Sequence, residues 1–372
     1  MKIGYPCINT SIVREGPSTF RLASYNEHCL VKVVRNNLDH LEKILHYNVK
    51  NNLLFFRISS GLIPFASHPV CKVNWQKHFA HRFKGLGEFI KENKIRISMH
   101  PDQFVLINSP KELVVESSVR ELTYHCSILD LMGLDASAKI QVHVGGAYGD
   151  KILAMKTFEK NHDTFLSPNV RKRLVIENDD RLYNVNDCLS IHDRTGVPIL
   201  FDSFHHRCYQ SGDGLSVTNA FQMCCKTWGK MDGLPMADYS DQEFGYRKGR
   251  HCTSIDLKDF RKFILQTRGL DYDLMLEIKD KQISATKAIH TLHDLSDSNV
   301  LTDKVFIHML VSIRQIQSQI FDYTFLLTFI DSLILRRIPD NGTSFKNFTP
   351  ATLLPCIFFT ELIPAPPSSI GG

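Results

Sequence analysis

The 372-residue sequence has no Cys-x-x-Cys pair, and its ten cysteines do not follow the spacing of a small disulfide-rich domain. It also has no uninterrupted apolar run of the roughly 20 residues that a membrane span needs, and no apolar segment of signal-peptide type near its N-terminus. These absences argue against a secreted disulfide scaffold and against a membrane protein. We therefore expect an intracellular chain, located in the cytoplasm or nucleoid of a bacterium or in the nucleus of a eukaryote.

Two further features are scarce: phosphate-binding glycine loops and excess charge of one sign. No Gly-x-Gly-x-x-Gly follows the first apolar run and no Walker A motif is present, so we expect no nucleotide cofactor. The 44 Lys and Arg residues against 39 Asp and Glu give a net charge of only +5, which permits a nucleic-acid partner without requiring one. With 43% hydrophobic residues, the chain can bury a large core.

Short apolar runs alternate along the chain with amphipathic stretches of helical period. The runs are KIGYP, LLFFRIS, KIRISMH, KIQVHVGG, RLVIEND, VPILFDS and DLMLEIKD, and the helical stretches include Leu30–Tyr47, Trp75–Glu92, Glu112–Met132 and Val185–Thr195. This alternation predicts an α/β fold, and a TIM (β/α)₈ barrel rather than an open sheet. We expect the barrel to occupy residues 1–294 and a C-terminal extension, whose structure the sequence does not predict, to occupy residues 295–372.

The apolar runs end in metal-binding residue types. Five runs are followed by such a side chain: His100, His143, Glu177, Asp202 and Glu277. Because the carboxyl ends of barrel strands meet at one face, these side chains should form one polar cluster. Mixed imidazole and carboxylate ligands suit Mn²⁺, Zn²⁺ or Fe²⁺, and neighbouring divalent ions can hydrolyse phosphodiesters. The residues alone therefore indicate metal-dependent hydrolysis or isomerisation.

Nine segments, in order along the chain, resemble the UV damage endonuclease family, which is similar to endonuclease IV type barrels. They are GYPCIN, FRISSGLIPFASHP, SMHPDQFVLINSP, VHVGGAYGDK, LVIENDDRLYNV, FDSFHH, GLPMADYS, GRHCTSID and MLEIKDK. The resemblance implies an enzyme that incises damaged double-stranded DNA immediately 5′ to pyrimidine dimers and photoproducts and so initiates excision repair. It also implies a monomer with two or three divalent ions, of which Mn²⁺ is expected and Zn²⁺ and Mg²⁺ are alternatives.

The resemblance also implies a set of metal ligands. The family's ligand positions fall on His68, His100, His143, Glu177, Asp202, His205, His251 and Glu277. The pattern departs from some members at Met236 and Asp238, where those members have a bridging modified lysine and a histidine. Asp238 can still donate an oxygen, whereas Met236 cannot carry a bridging carboxylate. We expect catalytic roles for Glu177, Glu277 and Lys279, since an ammonium on a barrel strand needs a carboxylate or phosphate partner.

DNA recognition is expected from a second set of residues. The family's lesion-probing pair falls on Gln103 and Phe104, which would wedge into the duplex, and Tyr5 and Asn9 correspond to residues that contact flipped nucleotides. Cations beside the strand-end motifs would bind phosphates. They are Arg57, Arg247, Lys248 and Arg250.

Two alternative functions remain open from the sequence. A metal-dependent sugar isomerase or epimerase could share the ligand set, but it would need neither Gln103 and Phe104 as a wedge nor a basic rim. A non-catalytic protein that binds damaged DNA would agree with the unusual Met236 and Asp238. Turnover of a free sugar would favour the first, and damage-specific binding without a nick in any metal would favour the second.

Overall fold

Eight parallel strands pair in the order of the sequence, and the first pairs with the last to close a barrel. This computed structural model describes residues 1–12, 17–209 and 214–295. The strands are β1 Ile3–Pro6, β2 Phe55–Ser59, β3 Arg96–His100, β4 Lys139–His143, β5 Leu174–Glu177, β6 Ile199–Asp202, β7 Met236–Tyr239 and β8 Asp273–Leu276. The predicted TIM barrel is confirmed, while the predicted extension over residues 295–372 lies almost wholly outside the described residues.

Helices follow the strands on the outside of the barrel. They are α1 Glu27–Lys50, α2 Trp75–Glu92, α3 Glu112–Leu131, α4 Lys151–Phe165, α5 Pro168–Arg171, α6 Val185–Thr195, α7 Ser203–Cys208, α8 Val217–Cys225 and α9 Leu257–Gln266. Residues 282–295 are also helical. Within the described ranges, none of the helices combines the length and apolarity needed to cross a bilayer.

Local sequence signals determine the ends of α6. Asn184 accepts a hydrogen bond from the Asp187 backbone N–H at 3.0 Å, and the Asp187 carboxylate accepts one from the Asn184 N–H at 2.8 Å. This reciprocal capping box satisfies two amides that the helix itself leaves unpaired. The helix ends at Gly196, whose φ of 71° lies in the left-handed region that glycine adopts without strain. The helix therefore has the bounds that its sequence pattern predicts.

The barrel interior has an apolar layer below a polar layer. The apolar side chains form a cluster that joins five strands across the barrel: Phe55, Val175, Leu200, Met236 and Met275. Side chains two residues apart on a strand point to the same side, so each of these strands carries a second inward residue two positions later. Those residues are Arg57, Glu177, Asp202, Asp238 and Glu277. The apolar layer thus forms the floor of the candidate site, and Met236 belongs to that floor.

A pair of glycines in α2 gives a test of the packing outside the barrel. A Cβ on Gly87 would lie 1.7 Å from the Met132 carbonyl oxygen, whereas a Cβ on Gly85 meets nothing within 4 Å. We expect Gly87→Ala to lower the free energy of unfolding by about 1–3 kcal/mol, because the backbone at residue 87 and the backbone at Met132 must move apart. Gly85→Ala in the same helix should raise it by about 0.5–1 kcal/mol through helix propensity. Urea unfolding of both variants checks this, and equal effects would contradict the close packing at Gly87.

Candidate metal centre

Glu177 lies at the centre of a group of imidazoles. It ends β5, and its Oε2 atom is 3.5 Å from His100 Nε2 and 3.7 Å from His143 Nε2. Its Oε1 atom is 3.0 Å from His205 Nδ1 on α7. Burial raises the pKa of the Glu177 carboxyl, but the three histidines more than offset this and hold the pKa well below its usual range. An ionised, buried carboxylate between three imidazoles is a strong ligand set for a divalent cation.

Three groups of possible ligands share members. In each group, one ligand atom from every residue lies within 4.8 Å of the others. The groups are His100 with His143 and Glu177, then Glu177 with Asp202 and His205, and finally Asp202 with Asp238 and Glu277. Because Glu177 belongs to the first two groups and Asp202 to the last two, the ligands form one connected cluster. Seven of the nine predicted metal ligands, Asp238 among them, belong to these groups, as the convergence of strand ends leads one to expect.

Asp202 is held in place by its backbone and by one of its oxygens. Its backbone amide donates to Asn178 Oδ1 at 3.0 Å, and Asn178 Nδ2 donates to the Asp202 carbonyl at 2.9 Å. Its Oδ1 accepts from the His205 backbone N–H at 2.7 Å, which caps α7. The other oxygen, Oδ2, is buried, lies 3.5 Å from His205 Nδ1 and has no hydrogen-bond partner among the described residues. A buried oxygen without a hydrogen bond fits a bound cation, and burial raises the pKa of Asp202 to about 6.

Arg57 lies inside the barrel and not on its rim. Its side chain is 3% exposed, and its Nη2 donates to Asp238 Oδ2 at 2.6 Å and to Gln141 Oε1 at 2.7 Å. Its Nη1 donates to the Glu277 carboxylate. Burial raises the pKa of Glu277, but Arg57 outweighs this and brings the pKa to about 2. The predicted phosphate contact of Arg57 therefore needs correction, because β2 directs its side chain inward onto two site carboxylates.

Tyr5 and Asn9 are also buried. Asn9 Nδ2 donates to the Tyr5 hydroxyl at 2.8 Å, and that hydroxyl donates to Asn48 Oδ1 at 2.5 Å, so the three side chains tie β1 to α1. Tyr5 and Asn9 are both 0% exposed. They have no surface on which a flipped nucleotide could rest, so we do not expect such a contact in this conformation.

His68 and His251 are not members of the three ligand groups found among the described residues, although His251 Nδ1 lies 3.9 Å from Glu277 Oε2. His68 is exposed, and its Nδ1 accepts from the Val70 backbone N–H at 3.1 Å. His251 Nδ1 is 2.9 Å from the Glu277 carbonyl oxygen, which leaves Nε2 as the nitrogen that could bind an ion. Their roles as ligands stay predictions.

An open cavity of about 490 Å³ lies above the polar layer. Its lining includes His100, Gln103, His143, Glu277 and Lys279. Lys279 is partly exposed and donates to Glu243 Oε2 at 3.1 Å. The carboxylate partner predicted for Lys279 is therefore Glu243, from the loop after β7, and not a residue of the three groups.

The cavity is flanked by exposed aromatic and basic side chains. Phe104 is 73% exposed, beside the exposed Gln103 in the loop after β3. Arg247, Lys248 and Arg250 are exposed in the loop that leads to His251. The Arg250 guanidinium carbon lies 3.7 Å from the centroid of the Tyr246 ring, a cation–π contact. The wedge pair and the basic loop thus have the exposure that contact with DNA requires.

Gln141 is a site residue that the sequence reasoning missed. Its Nε2 donates to Glu177 Oε2 at 2.5 Å and to Asp238 Oδ2 at 2.7 Å, and its side chain is completely buried. It lies on β4, two residues before His143, so it points to the same side of the strand as that ligand. This spacing is the signal that could have identified it.

The chain matches a known protein family over most of its length. Residues 1–307 match the family model described as UV-endonuclease UvdE. The chain belongs to this family. The matched region extends past the predicted boundary at residue 294, and it contains every residue of the three ligand groups.

Relatives of this UvdE-family chain include the UV DNA damage endonuclease of Clostridium perfringens, which is 40% identical over 297 residues, 80% of this chain and 72% of the relative. That of Bacillus mycoides is 31% identical, over 72% of this chain and 84% of the relative. The solved structure of SacUVDE is 45% identical with a TM-score of 0.75, and the match covers 80% of this chain and 99% of SacUVDE. The resemblance drawn from the nine segments is therefore confirmed.

Proposed function

We propose that this UvdE-family endonuclease hydrolyses the phosphodiester immediately 5′ to pyrimidine dimers and photoproducts in double-stranded DNA, with Mn²⁺ as its metal. Zn²⁺ and Mg²⁺ are the alternatives. The observation that carries the proposal is the connected cluster of three ligand groups at the bottom of an open cavity flanked by an aromatic and a basic loop. Neighbouring divalent ions stabilise charge on a phosphate and activate water.

The chain's own residues would bind and orient around those ions. Glu177 belongs to both histidine-containing groups, and the hydrogen bond from the His205 backbone N–H to Asp202 Oδ1 orients the Asp202 carboxylate. Lys279 lies beside the cavity with its ammonium on Glu243. We assign Lys279 the role of neutralising charge on the phosphate, since a partly exposed ammonium can exchange one anionic partner for another.

The flanking residues would bind the DNA. A base dimer is poorly stacked, so a side chain that inserts beside it meets less resistance than in an intact duplex. Phe104 and Gln103 are exposed and follow His100, the end of β3, which supports a role in probing the duplex close to the scissile bond. Arg247, Lys248 and Arg250 would neutralise backbone phosphates on the other loop.

The incision experiment uses a labelled duplex with one cyclobutane pyrimidine dimer. We expect a nick immediately 5′ to the dimer with Mn²⁺ and none with EDTA, and an undamaged duplex of the same sequence should stay intact. Damage-selective binding without a nick in Mn²⁺, Zn²⁺ or Mg²⁺ would contradict the proposed catalysis and favour a binding protein.

The wedge role of Phe104 can be separated from simple surface hydrophobicity. We expect Phe104→Ala to weaken binding of the lesion duplex about tenfold, because base–aromatic stacking contributes about 1–3 kcal/mol, and to leave binding of undamaged duplex unchanged. Met231 is the matched control, since it is 76% exposed but precedes β7, at the opposite end of the barrel. Fluorescence anisotropy with both duplexes checks this. Equal losses for Phe104→Ala and Met231→Ala would exclude a wedge at Phe104.

A further inference from the structure

Arg57 contacts the third ligand group directly. Of the three carboxylates in that group, the guanidinium binds two, Asp238 through Nη2 at 2.6 Å and Glu277 through Nη1. The remaining member, Asp202, also belongs to the second group. A cation placed within the third group would therefore have to share two of its ligands with a guanidinium that is already bound to them.

The contact is built into the barrel and is not a surface pairing. Arg57 lies in the middle of β2, in register with Pro6 on β1 and Ser98 on β3. Its Nη2 also donates to Gln141, whose amide in turn donates to Asp238. Arg57, Gln141 and Asp238 are 3%, 0% and 0% exposed. A planar guanidinium with several fixed hydrogen bonds in a buried place is strongly held there.

Gln141 links this part of the centre to the other two groups. The same Nε2 atom that donates to Asp238 donates to Glu177 Oε2 at 2.5 Å, the oxygen nearest His100 and His143. Because the amide holds both carboxylates, the position of the guanidinium and that of the shared ligand are coupled through one side chain.

Charge balance also limits the number of ions. The three groups contain four carboxylates, at Glu177, Asp202, Asp238 and Glu277. When ionised they carry four negative charges, and Arg57 cancels one of them. Two divalent ions then bring the cluster close to neutrality, whereas a third would add excess positive charge in a buried site, next to a guanidinium that cannot lose its proton.

We propose that the Arg57 guanidinium takes the place of a third divalent ion, so that the centre holds two. One ion would be bound by His100, His143 and Glu177, and the other by Glu177, Asp202 and His205. This inference rests on the metal centre of the proposed function. Arg57 is a positioning residue here, because it fixes Asp238 and Glu277 without being assigned a contact with the substrate.

Metal content is the test. The protein is saturated with Mn²⁺, passed through a desalting column and measured by mass spectrometry of the metal. We expect about two ions per wild-type chain and about three in Arg57→Met, which frees two carboxylates of the third group. Mn²⁺ should also raise the thermal midpoint of Arg57→Met more than that of the wild type, because the ion replaces the lost positive charge.

Arg96→Met is the matched control, because Arg96 is a second buried arginine of the barrel. Arg96 pairs at 3.7 Å with Asp273, which begins β8, whereas Glu277 follows the other end of that strand. The Arg96→Met protein should hold two ions, like the wild type. Three ions in the wild type, or two in a folded Arg57→Met, would overturn the inference. No bound ion at all would overturn both the inference and the metal centre. Two ions without incision of damaged DNA would overturn only the proposed function.

Asp238→Asn tests whether Asp238 binds an ion, even if Arg57→Met does not fold. It keeps the shape of a side chain that, in this proposal, binds Arg57 and no ion. The variant should therefore hold two ions like the wild type. A fall to one ion would make Asp238 a metal ligand, and that result overturns the inference.

Discussion

Glu177→Gln is expected to lower the rate of incision 5′ to a pyrimidine dimer by about 10³-fold or more. The carboxylate is shared by two of the three ligand groups, so its loss weakens both at once. Metal ions contribute several kcal/mol of transition-state stabilisation, and each 1.36 kcal/mol is a factor of ten in rate. The amide keeps the shape of the side chain but removes its charge. Single-turnover incision in saturating Mn²⁺ measures the loss, and the metal content should fall with it.

The control is Glu116→Gln, the same change at an exposed glutamate of α3 that pairs with Arg120 at 3.9 Å. Its incision rate should equal that of the wild type. Circular dichroism must show that Glu177→Gln keeps its helix content, so that a lost activity is not simply a lost fold. An activity within tenfold of the wild type would remove Glu177 from the proposed metal centre.

Arg173→Met is expected to lower the free energy of unfolding by about 3–5 kcal/mol, because it leaves two buried carbonyl oxygens and two part-buried acceptors without their donor. Arg173 precedes β5 and its side chain is 2% exposed. Its guanidinium donates to Asp130 Oδ1 at 2.7 Å and to the carbonyl oxygens of Leu134, Asp135 and Ala138 at 2.7, 2.5 and 3.1 Å. It thereby joins the end of α3 to the start of β5.

Arg171→Met provides the comparison. Arg171 is two residues away, its side chain is 37% exposed, and its ion pair with Asp163 is 3.8 Å long. Exposed pairs of this kind contribute about 0–1 kcal/mol, so this variant should unfold close to the wild type. Urea unfolding followed by circular dichroism compares the two. A loss below about 1 kcal/mol in Arg173→Met would show that water takes the place of the guanidinium at these acceptors and would contradict the prediction.

Most of the fold could be predicted from the sequence because the apolar runs are short, regular and separated by helical patterns. The strand β7 was missed as a run. Four other strands also have four residues, but β7 ends with Asp238 and Tyr239, so its apolar character is weak. Its place in the barrel follows from pairing with β6 and β8 on both sides. Strand pairing depends on the tertiary structure, and the hydrophobic pattern of a four-residue segment does not predict it.

The sequence predicted those residues of the candidate site whose position follows from the barrel fold alone. His100 and His143 end their strands, and parallel strands in a barrel end at one face, so their meeting follows from the fold alone. Arg57 was assigned to DNA as a cation beside a strand-end motif, and Tyr5 was assigned to DNA from the family resemblance. Each side chain points instead to a buried partner, Glu277 for Arg57 and Asn48 for Tyr5. Closeness to a motif in the sequence does not tell which distant residue a side chain contacts.

The sequence by itself determined the alternation of strands and helices, the ligand types at the strand ends, and the two-residue spacing that places Phe55 below Arg57 in the barrel. Only the tertiary structure decided which charges meet. Arg57 and Asp238 are 181 residues apart, and they pair because closure of the barrel brings β2 and β7 to a common interior. Local patterns specify the direction of a side chain, whereas a buried ion pair depends on the position of two distant strands, which the packing of the whole barrel fixes.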